Sequence, residues 1–451
     1  MKRILIDGRF IGVGDSMTRY CLEIVKGILD QDKDNEYTLL IRPEGEKILK
    51  VTSTEILHRK GTESVIARSG FATWQSNNLT IKVLDIPHYS LGEQTKLLSY
   101  LNKEKFDLVH FIQFNHPILY RGKYVVTIHD LTLFGHLYRE KLHKKIAFDK
   151  VMRSAVNKSA KIITVSETSK NDIIDNYHVD PNKIAVTYLG VDGKYNCRIK
   201  NDELRIKQFK EKHGIVGDYI LYTGMWKKHK NLIRLLKAFE KFQETRNNNQ
   251  TNSNYQIPNI QLVLVGKVDK NEPEVIKTIE EINKRFCHPE RAERVEGSSN
   301  KINNKISNIQ YPTSNEISNS QPNKLRPNAY LPVITTGFVE EEELPISYAG
   351  ALFYVIPSLS EGFGLPPLEA MACGTPVISS NISAMPEILG DAALYFDPYD
   401  VCDIAEKMRQ MADNTNLRED YSQKGLEQAG KYSWENTAKR TLVVYKELLD
   451  S

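Results

Sequence analysis

The sequence predicts an α/β protein built from two doubly wound parallel sheets. At 451 residues the chain is too long for one ordinary hydrophobic core, and two α/β domains are the natural expectation. Short apolar segments alternate with helix-forming segments, as they do in doubly wound sheets. A polar, charged stretch follows Gly190–Gly193 and separates two sets of strand candidates. We therefore expect domains at residues 1–193 and 194–431.

The first half carries five strand candidates and two helices. Each strand candidate is a short apolar run bounded by polar or turn-forming residues. Strands are expected at Ile4–Ile6, Tyr37–Ile41, Leu108–Phe111, Tyr124–Ile128 and Ile162–Val165, and helices at about Met17–Leu29 and Ser166–Tyr177. The chain starts like a signal peptide, but its apolar run stops at Asp7, which favours a buried first strand.

The second half repeats this pattern and ends in one more helix. Its strands are expected at Tyr219–Tyr222, Leu262–Val265, Ile334–Thr336 and Leu352–Ile356, with a helix at Leu232–Phe239. Residues 432–451 are predicted to form a C-terminal helix whose first turn is capped by Ser433. Trp434 is expected to pack against the protein rather than to bind a ligand.

Two polar regions interrupt the second set of strands. Arg246–Ile257 is rich in asparagine and is expected to be a loose loop. Cys287–Asn328 contains Ser, Asn, Lys and Pro in no regular period, so it has too little apolar surface to offset the entropy of ordering. We interpret residues 287–328 as a disordered surface insertion that the fold tolerates.

Composition bounds the class of protein. Hydrophobic residues make up 40% and charged residues 26% of the chain, as in a soluble globular protein, and no apolar run is long enough to span a bilayer. Five cysteines without zinc or disulfide spacing fit a reducing cytoplasm. A net charge of +4 does not suggest nucleic-acid binding. Asp30 and Asp32 lie in a charged turn after a helix, so no metal site is expected there.

Basic side chains crowd one predicted helix of the first half. They are Lys141, Lys144, Lys145, Lys150, Arg153, Lys158 and Lys161. Such a run is usually a solvated helix face. It would also suit contact with an anionic membrane, where each basic charge near the surface contributes about 1 kcal/mol.

The most informative segment is Pro357–Pro376, PSLSEGFGLPPLEAMACGTP. An apolar strand precedes it and a helix of good helix formers ends it. Between them, the backbone N–H groups of a turn, with the helix N-terminus behind, suit a pyrophosphate; this turn is Gly362, Phe363, Gly364 and Leu365. Glu361 and Glu369 cannot help to hold phosphate, so they suit hydroxyl groups or an electron-poor carbon. A nucleotide sugar offers both, although either glutamate alone is more often a cap or a solvated residue.

The two glutamates resemble the E-x₇-E motif of retaining glycosyltransferases of family four, and the strand before them and the GTPVISS segment after them match as well. Enzymes of that family have the GT-B architecture, two Rossmann-like doubly wound domains that face each other across a cleft. The resemblance implies that residues 1–193 form the acceptor-side domain and residues 194–431 the nucleotide-sugar donor domain. It also implies that the helix at 432–451 crosses back to the first domain.

The resemblance assigns further residues around the donor. After a strand ending in glycine, family members carry an arginine and then Lys-Asn, and the two basic side chains bind the donor diphosphate. Lys230 matches the lysine, whereas Met225 occupies the arginine position. Lys227 and Lys228 are both candidates to supply the missing charge.

Two residues of the first half follow from the same resemblance. His129 lies in a TIHDL segment like the one whose histidine contacts the transferred sugar. Gly14 follows the first strand in a glycine-containing loop and is expected to approach the donor phosphate. That loop lacks the third glycine of a dinucleotide fingerprint, which argues against a nicotinamide dehydrogenase.

The resemblance implies transfer of a hexose, such as mannose, from a nucleoside diphosphate sugar to a glycan or lipid-linked acceptor, with retention and without a metal or cofactor. Glu361 and His129 would act on the sugar, and Lys230, Glu369, Gly14 and the 362–365 turn would bind the donor. The expected setting is cell-surface polysaccharide or lipopolysaccharide synthesis in the cytoplasm, with peripheral contact at the inner face of the membrane. Two alternatives stay open: a GT-B sugar-nucleotide epimerase or hydrolase, and a catalytically weak nucleotide-sugar-binding subunit.

Overall fold

The computed structural model describes residues 1–12, 15–49, 78–131, 142–250, 260–267, 269, 272–286 and 331–450. The chain divides into two compact units. The first unit is Met1–Gly190 together with Tyr432–Ser451, and the second unit is Val191–Lys431. The division therefore falls three residues before the expected boundary, and it groups the C-terminal segment with the first unit. Gly14, Lys141 and the 287–328 segment lie outside the described residues.

The strands of the first unit are β1 (Arg3–Asp7), β2 (Glu36–Ile41), β3 (Leu79–Val83), β4 (Leu108–Phe111), β5 (Tyr124–Ile128), β6 (Lys161–Thr164) and β7 (Ile184–Val186). Within the described residues they form one parallel sheet in the order β3-β2-β1-β4-β5-β6-β7. All five predicted strands are confirmed. The sequence analysis missed β3, an edge strand with mostly exposed side chains, and β7, which has three residues.

The helices of the first unit are α1 (Asp15–Gln31), α2 (Leu98–Glu104), α3 (Leu142–Lys158) and α4 (Glu167–Tyr177). A π-helical turn, Glu93–Leu97, leads directly into α2. Both predicted helices are confirmed, and the Ser166 side chain caps α4 by accepting a hydrogen bond from the Ser169 N–H.

The strands of the second unit are β8 (Asp218–Thr223), β9 (Ile260–Val265), β10 (Val333–Gly337), β11 (Phe353–Ile356), β12 (Val377–Ser380) and β13 (Ala393–Phe396). In the described part of this unit they form a parallel sheet in the order β10-β9-β8-β11-β12-β13. The four predicted strands are confirmed, and β12 and β13 were missed. In both sheets the order reverses once, between β1 and β4 and between β8 and β11. Ligands of doubly wound sheets bind outside the carboxyl ends of the strands at that reversal.

The remaining helices are α5 (Glu203–His213), α6 (Leu232–Gln250), α7 (Pro273–Phe286), α8 (Leu344–Ala349), α9 (Leu365–Ala372), α10 (Met385–Leu389), α11 (Val401–Asp413), α12 (Thr415–Ala429) and α13 (Trp434–Asp450). The sheet of each unit carries its own core, with strand side chains such as Val126 and Leu262 fully buried. No helix among the described residues is long and apolar enough to cross a bilayer.

The predicted loop at Arg246–Ile257 is wrong in its first part, because α6 continues to Gln250, and residues 251–257 lie outside the described residues. Arg246 is buried at this point. Its guanidinium donates to Asp413 at 2.6 Å and lies 5.2 Å from the centre of the Phe242 ring. These contacts hold the last helical turn in place and outweigh the weak helix propensity of the asparagines.

The C-terminal helix α13 packs on α1 within the first unit. The packing is close: a Cβ atom on Gly27 would lie 2.6 Å from the Ala438 Cβ, so only glycine fits there. The Ser433 hydroxyl accepts a hydrogen bond from the Asn436 N–H at 3.2 Å, which confirms the predicted cap. Trp434 is buried, as expected for a packing residue.

Candidate active site

The candidate donor site lies in the second unit, where its strand order reverses. The turn after β8, Lys228–Lys230, is tied to the segment after β11 by two hydrogen bonds. The Leu359 N–H donates to the His229 carbonyl at 2.7 Å, and the Asn231 amide donates to the Pro357 carbonyl at 3.0 Å. Asn231 also donates to the Pro398 carbonyl at 2.7 Å. One buried asparagine thus fixes three chain segments around the carboxyl edge of the sheet.

Two residues predicted separately, Lys230 and Glu361, form an ion pair at this edge. The Lys230 Nζ atom lies 2.5 Å from the Glu361 Oε1 atom, and both side chains are mostly buried. Burial alone would raise the pKa of the Glu361 carboxyl, but the Lys230 ammonium holds that pKa below its usual value. The site therefore presents a fixed cation and a fixed carboxylate side by side.

The backbone at Glu361 is clamped by Ser383. The Glu361 N–H donates to the Ser383 hydroxyl at 3.0 Å, and that hydroxyl donates to the Glu361 carbonyl at 2.9 Å. Ser383 itself has a φ of 59°. This reciprocal pair orients the Glu361 carboxylate without using either carboxylate oxygen.

The predicted glycine turn leads into α9 as expected. Gly364 has a φ of 105°, and a Cβ atom there would lie 2.5 Å from the Met385 Cε atom, so both conformation and space require glycine. The next helical residues after Leu365 are Pro366 and Pro367, which have no backbone N–H. Any N–H group offered to a ligand by this end of the helix therefore comes from residues 362–365.

Glu369 lies one turn into α9 and is buried. The Tyr348 hydroxyl donates to its Oε2 atom at 3.0 Å. The Tyr348 hydroxyl oxygen also lies 2.9 Å from the Thr223 hydroxyl oxygen, and the Thr223 oxygen lies 3.2 Å from the Tyr354 hydroxyl oxygen. Burial, then the neighbouring Glu369 carboxylate, raises the pKa of Tyr348 well above its usual value, so its hydroxyl stays protonated and donates.

In the first unit, His129 follows β5 at the carboxyl edge of the sheet. Its Nε2 atom lies 3.1 Å from the Ile112 carbonyl oxygen, which can only accept a hydrogen bond. Nε2 therefore carries the proton, and Nδ1 carries the lone pair of the neutral ring. Burial lowers the pKa of His129, which favours this neutral form. The ring stands edge-on to Tyr20, with the ring centres 4.6 Å apart.

A buried chain of hydrogen bonds connects the Tyr20 ring beside His129 to the C-terminal helix. The Tyr20 hydroxyl lies 3.1 Å from the Thr127 hydroxyl, and Thr127 lies 2.8 Å from the His110 Nε2 atom. The His110 Nδ1 atom lies 2.6 Å from the Tyr445 hydroxyl on α13. Burial, with a smaller effect of His129, lowers the pKa of His110 to about 3, so this chain is uncharged at neutral pH.

The loop after β1 is the one for which Gly14 was predicted to approach the donor phosphate. It contains a buried arginine, Arg9, whose charge is already paired. Arg9 donates to both carboxylate oxygens of Asp7, at 2.8 and 2.7 Å, and to Glu93 at 2.8 Å. All three side chains are almost completely buried. With two carboxylates already on its guanidinium, Arg9 serves to hold the loop together.

Comparison with known proteins gives the family. The model of "Glycosyltransferase Family 4" matches residues 75–194, in the first unit, and that of "Glycosyl transferases group 1" matches residues 329–428, in the second. The O-antigen chain mannosyltransferase B of Escherichia coli is 30% identical over 326 residues, which cover 72% of this chain and 70% of that protein. The chain belongs to the family 4 glycosyltransferases.

Two further comparisons place this glycosyltransferase. The serotype-specific mannosyltransferase WbdA of Escherichia coli is 26% identical over 290 residues, or 64% of this chain, but the match spans only 29% of that longer protein. Among solved structures, HepE of Anabaena in complex with UDP and glucose has a TM-score of 0.64 at 14% identity, covering 99% of this chain and 100% of HepE. The two doubly wound units of the glycosyltransferase are those of the GT-B fold.

The structure brings part of the predicted site together. Lys230, Glu361 and the 362–365 turn share one edge of the second unit, and Glu369 follows on α9. His129 belongs to the first unit. Met225, at the position where the family has arginine, is half exposed, and neither Lys227 nor Lys228 has a contact that marks it as the substitute.

The sequence analysis missed the residues that orient these groups. They are Tyr348, Thr223 and Ser383 in the glycosyltransferase's second unit and Tyr20, His110 and Tyr445 in its first. Each is joined to its partner by a contact between different elements, and Tyr445 is 335 residues from His110. Ser383 lies 22 residues after Glu361, and a serine at that distance predicts no contact by itself.

Proposed function

We propose that this glycosyltransferase transfers a hexose, in the first instance mannose, from a nucleoside diphosphate sugar to a glycan or lipid-linked acceptor with retention of configuration. The observation that carries the proposal is the Lys230–Glu361 pair, a cation and a carboxylate held at the strand-order reversal of a doubly wound sheet. The E. coli relatives are named as an O-antigen chain mannosyltransferase and a serotype-specific mannosyltransferase, and these names support mannose as the sugar. The proposed setting is cell-surface polysaccharide or lipopolysaccharide synthesis.

The donor roles follow from charge and hydrogen-bonding capacity. Lys230 and the N–H groups of residues 362–365 bind the diphosphate, and Glu369 accepts hydrogen bonds from the ribose hydroxyls. A carboxylate has about four lone-pair positions and can accept several hydrogen bonds at once. Glu361 contacts the hydroxyls of the sugar. Gly14, which lies outside the described residues, is proposed from the family resemblance alone as a residue that approaches the donor phosphate.

The chemical step needs stabilisation of the leaving diphosphate. The bond from the anomeric carbon to the phosphate oxygen breaks as that carbon becomes oxocarbenium-like, and an acceptor hydroxyl forms the new bond on the same face. Its proton passes to the departing phosphate. Lys230 and the turn N–H groups stabilise the developing charge, so the proposed reaction uses no metal and no cofactor. His129 contacts the transferred sugar through its unprotonated Nδ1 atom.

The proposed location is the cytoplasm, at the inner face of the cell membrane. Helix α3 supports peripheral contact with anionic lipid, because Lys150 and Lys158 are exposed on it. A lipid-linked acceptor would be presented at that surface. No nucleic-acid partner is proposed.

The deciding experiment is a thermal-shift panel of UDP, GDP, ADP and dTDP sugars without metal, on wild type, Lys230→Met and Lys228→Met. A ligand that binds only the native state adds about 2.7 kcal/mol at a hundredfold excess over Kd. One nucleotide should stabilise wild type but not Lys230→Met. Loss of the shift in Lys228→Met as well would assign the missing arginine charge to Lys228, an exposed lysine of the same turn. No shift with any donor would contradict the proposal.

Product analysis separates the remaining functions. Transfer to an acceptor with the donor's anomeric configuration, measured by NMR of the product, supports the proposed reaction. Donor turnover without any acceptor would identify an epimerase or hydrolase. Donor binding without turnover across a broad set of acceptors would identify a binding subunit.

A further inference from the structure

The first unit exposes three large apolar side chains close together. Leu91 is 84% exposed, Leu119 71% and Tyr89 59%. Single exposed apolar residues are common on protein surfaces, but these three belong to neighbouring segments. We call Tyr89, Leu91 and Leu119 the apolar tip.

The segments that carry the apolar tip are fastened to each other. Gln94, in the same helical run as Leu91, donates to the His116 carbonyl at 3.0 Å and accepts from the Ile118 N–H at 2.9 Å. Leu119 follows directly. The Tyr89 N–H donates to Glu93 at 3.2 Å, and Tyr89 has a φ of 54°, a left-handed conformation that fixes how it projects.

Basic side chains lie on the segments that carry the apolar tip and on α3, which contacts one of them. Lys158, from the exposed face of α3, donates to the Ile118 carbonyl at 3.1 Å, next to Leu119. Lys96 and Arg121 are exposed on the two segments that carry the tip. In residues 89–103 and 112–121 the one acidic residue is Glu93, which is buried against Arg9. The charge beside the apolar tip is therefore positive.

We propose that the apolar tip, with Lys96, Arg121 and Lys158, docks on an anionic lipid bilayer. The inference rests on the proposed peripheral membrane contact and assigns it to named residues. Leu91 and Leu119 enter the boundary between headgroups and acyl chains, and the three basic side chains lie at the level of the phosphates. The positive charge of this surface argues for a lipid bilayer. Exposed leucines suit the acyl chains, and the nearby lysine and arginine side chains suit anionic headgroups.

The test is sedimentation of the full chain with vesicles of phosphatidylcholine alone or with about one third phosphatidylglycerol. Wild type should bind the anionic vesicles and lose binding as salt is raised. The double variant Leu91→Ser/Leu119→Ser should bind about tenfold more weakly or worse, because its apolar contact is lost. Leu204→Ser, which removes a 66% exposed leucine of α5 in the second unit, should bind like wild type.

Three outcomes would overturn the proposal in distinguishable ways. Wild type that binds no anionic vesicle contradicts both the apolar tip and the peripheral contact. Wild type that binds while the double variant binds equally contradicts only the assignment to the tip. A concentration-dependent dimer that the double variant abolishes would show that a second copy covers the tip. The nucleotide-sugar thermal shift, measured on each variant, tests the donor site independently and confirms that the variants are folded.

Discussion

At the carboxyl edge of each sheet the strand order reverses, but the two units place different chemistry there. The second unit presents the Lys230–Glu361 ion pair and a buried carboxylate, Glu369, held by Tyr348. The first unit presents a neutral histidine, His129, beside a buried chain of hydroxyls and imidazole. One fold thus supplies a charged site suited to a polyanionic donor and an uncharged site suited to sugar hydroxyls. The topology is shared, and the side chains at the reversal decide the chemistry.

The largest expected effect is on the charged side of this comparison. If the Glu361 carboxylate orients the sugar as proposed, Glu361→Gln should lower kcat about a hundredfold or more while changing donor KM much less. Lys230→Met should instead weaken donor binding strongly. Steady-state kinetics of both variants and of Lys228→Met check this. An equal loss of donor binding in Lys228→Met and Lys230→Met would contradict a specific role of the Lys230–Glu361 pair.

The two units should also respond differently to acid. Burial lowers the pKa of His110 to about 3 and that of His116 to about 4, so in the folded first unit both stay neutral where the unfolded chain, with a pKa of about 6.5, takes up protons. Their contribution to the free energy of unfolding is complete above about pH 6.5. It falls as the pH decreases towards the pKa values of the two histidines in the folded protein. Burial also lowers the pKa of His88 and His129, so by pH 4.5 the first unit should have lost much of this stabilisation.

The Lys230–Glu361 pair of the second unit should lose its stabilising effect only at lower pH. The pKa of Glu361 in the folded protein lies below its ordinary value of about 4.3, so the carboxylate stays charged through the range in which the histidines take up protons. Hydrogen exchange resolved by segment should therefore show the first unit opening before the second between about pH 6 and 4.5. His116→Asn should reduce this pH dependence, and His178→Asn, at an exposed histidine of the same unit, should not. Simultaneous opening of both units in the histidine range would refute the contrast.

A smaller effect is expected from the hydroxyl that holds Glu369. Tyr348→Phe removes one buried hydrogen bond, worth about 1 kcal/mol, and should raise donor KM about fivefold with kcat nearly unchanged. Tyr354→Phe makes the same change one hydrogen bond farther from the carboxylate and should have a weaker effect. If the two variants have the same KM, Tyr348 does not act through Glu369.

The smallest effect is expected from deletion of the 287–328 segment. Replacing Cys287–Asn328 by a short linker should leave melting temperature and kinetics unchanged. The flanking elements are already joined, because the Asn283 side chain of α7 both donates to and accepts from the Val333 backbone of β10 at 2.9 Å. A large fall in melting temperature would show that the segment contributes to the second unit.

The sequence predicted the parts of the molecule that local pattern determines. All nine predicted strands are present, since each is an apolar run bounded by turn residues. The edge strand β3 was missed because LTIKV alternates apolar and polar side chains and contains no continuous apolar run, and the end of α6 was misjudged because Arg246 is held by the distant Asp413. Glu361 was predicted as a catalytic residue and Lys230 as a donor-binding residue, but their pairing depends on two strands that meet only in the fold. Tyr348, 21 residues before Glu369, gave no local signal.

The course of the chain has a consequence for biosynthesis. The second unit is a continuous stretch, Val191–Lys431, whereas the first unit is completed only by Tyr432–Ser451. Domains usually fold in order as they leave the ribosome, with the N-terminal one first. Here the first unit waits for residues after Lys431, because Gly27 has no Ala438 to pack on and His110 no Tyr445 to bond until α13 is synthesised. The second unit can therefore finish folding while the first unit, whose seven described strands precede it in the chain, still lacks α13, and translation that stops after Lys431 releases a chain with only one complete unit.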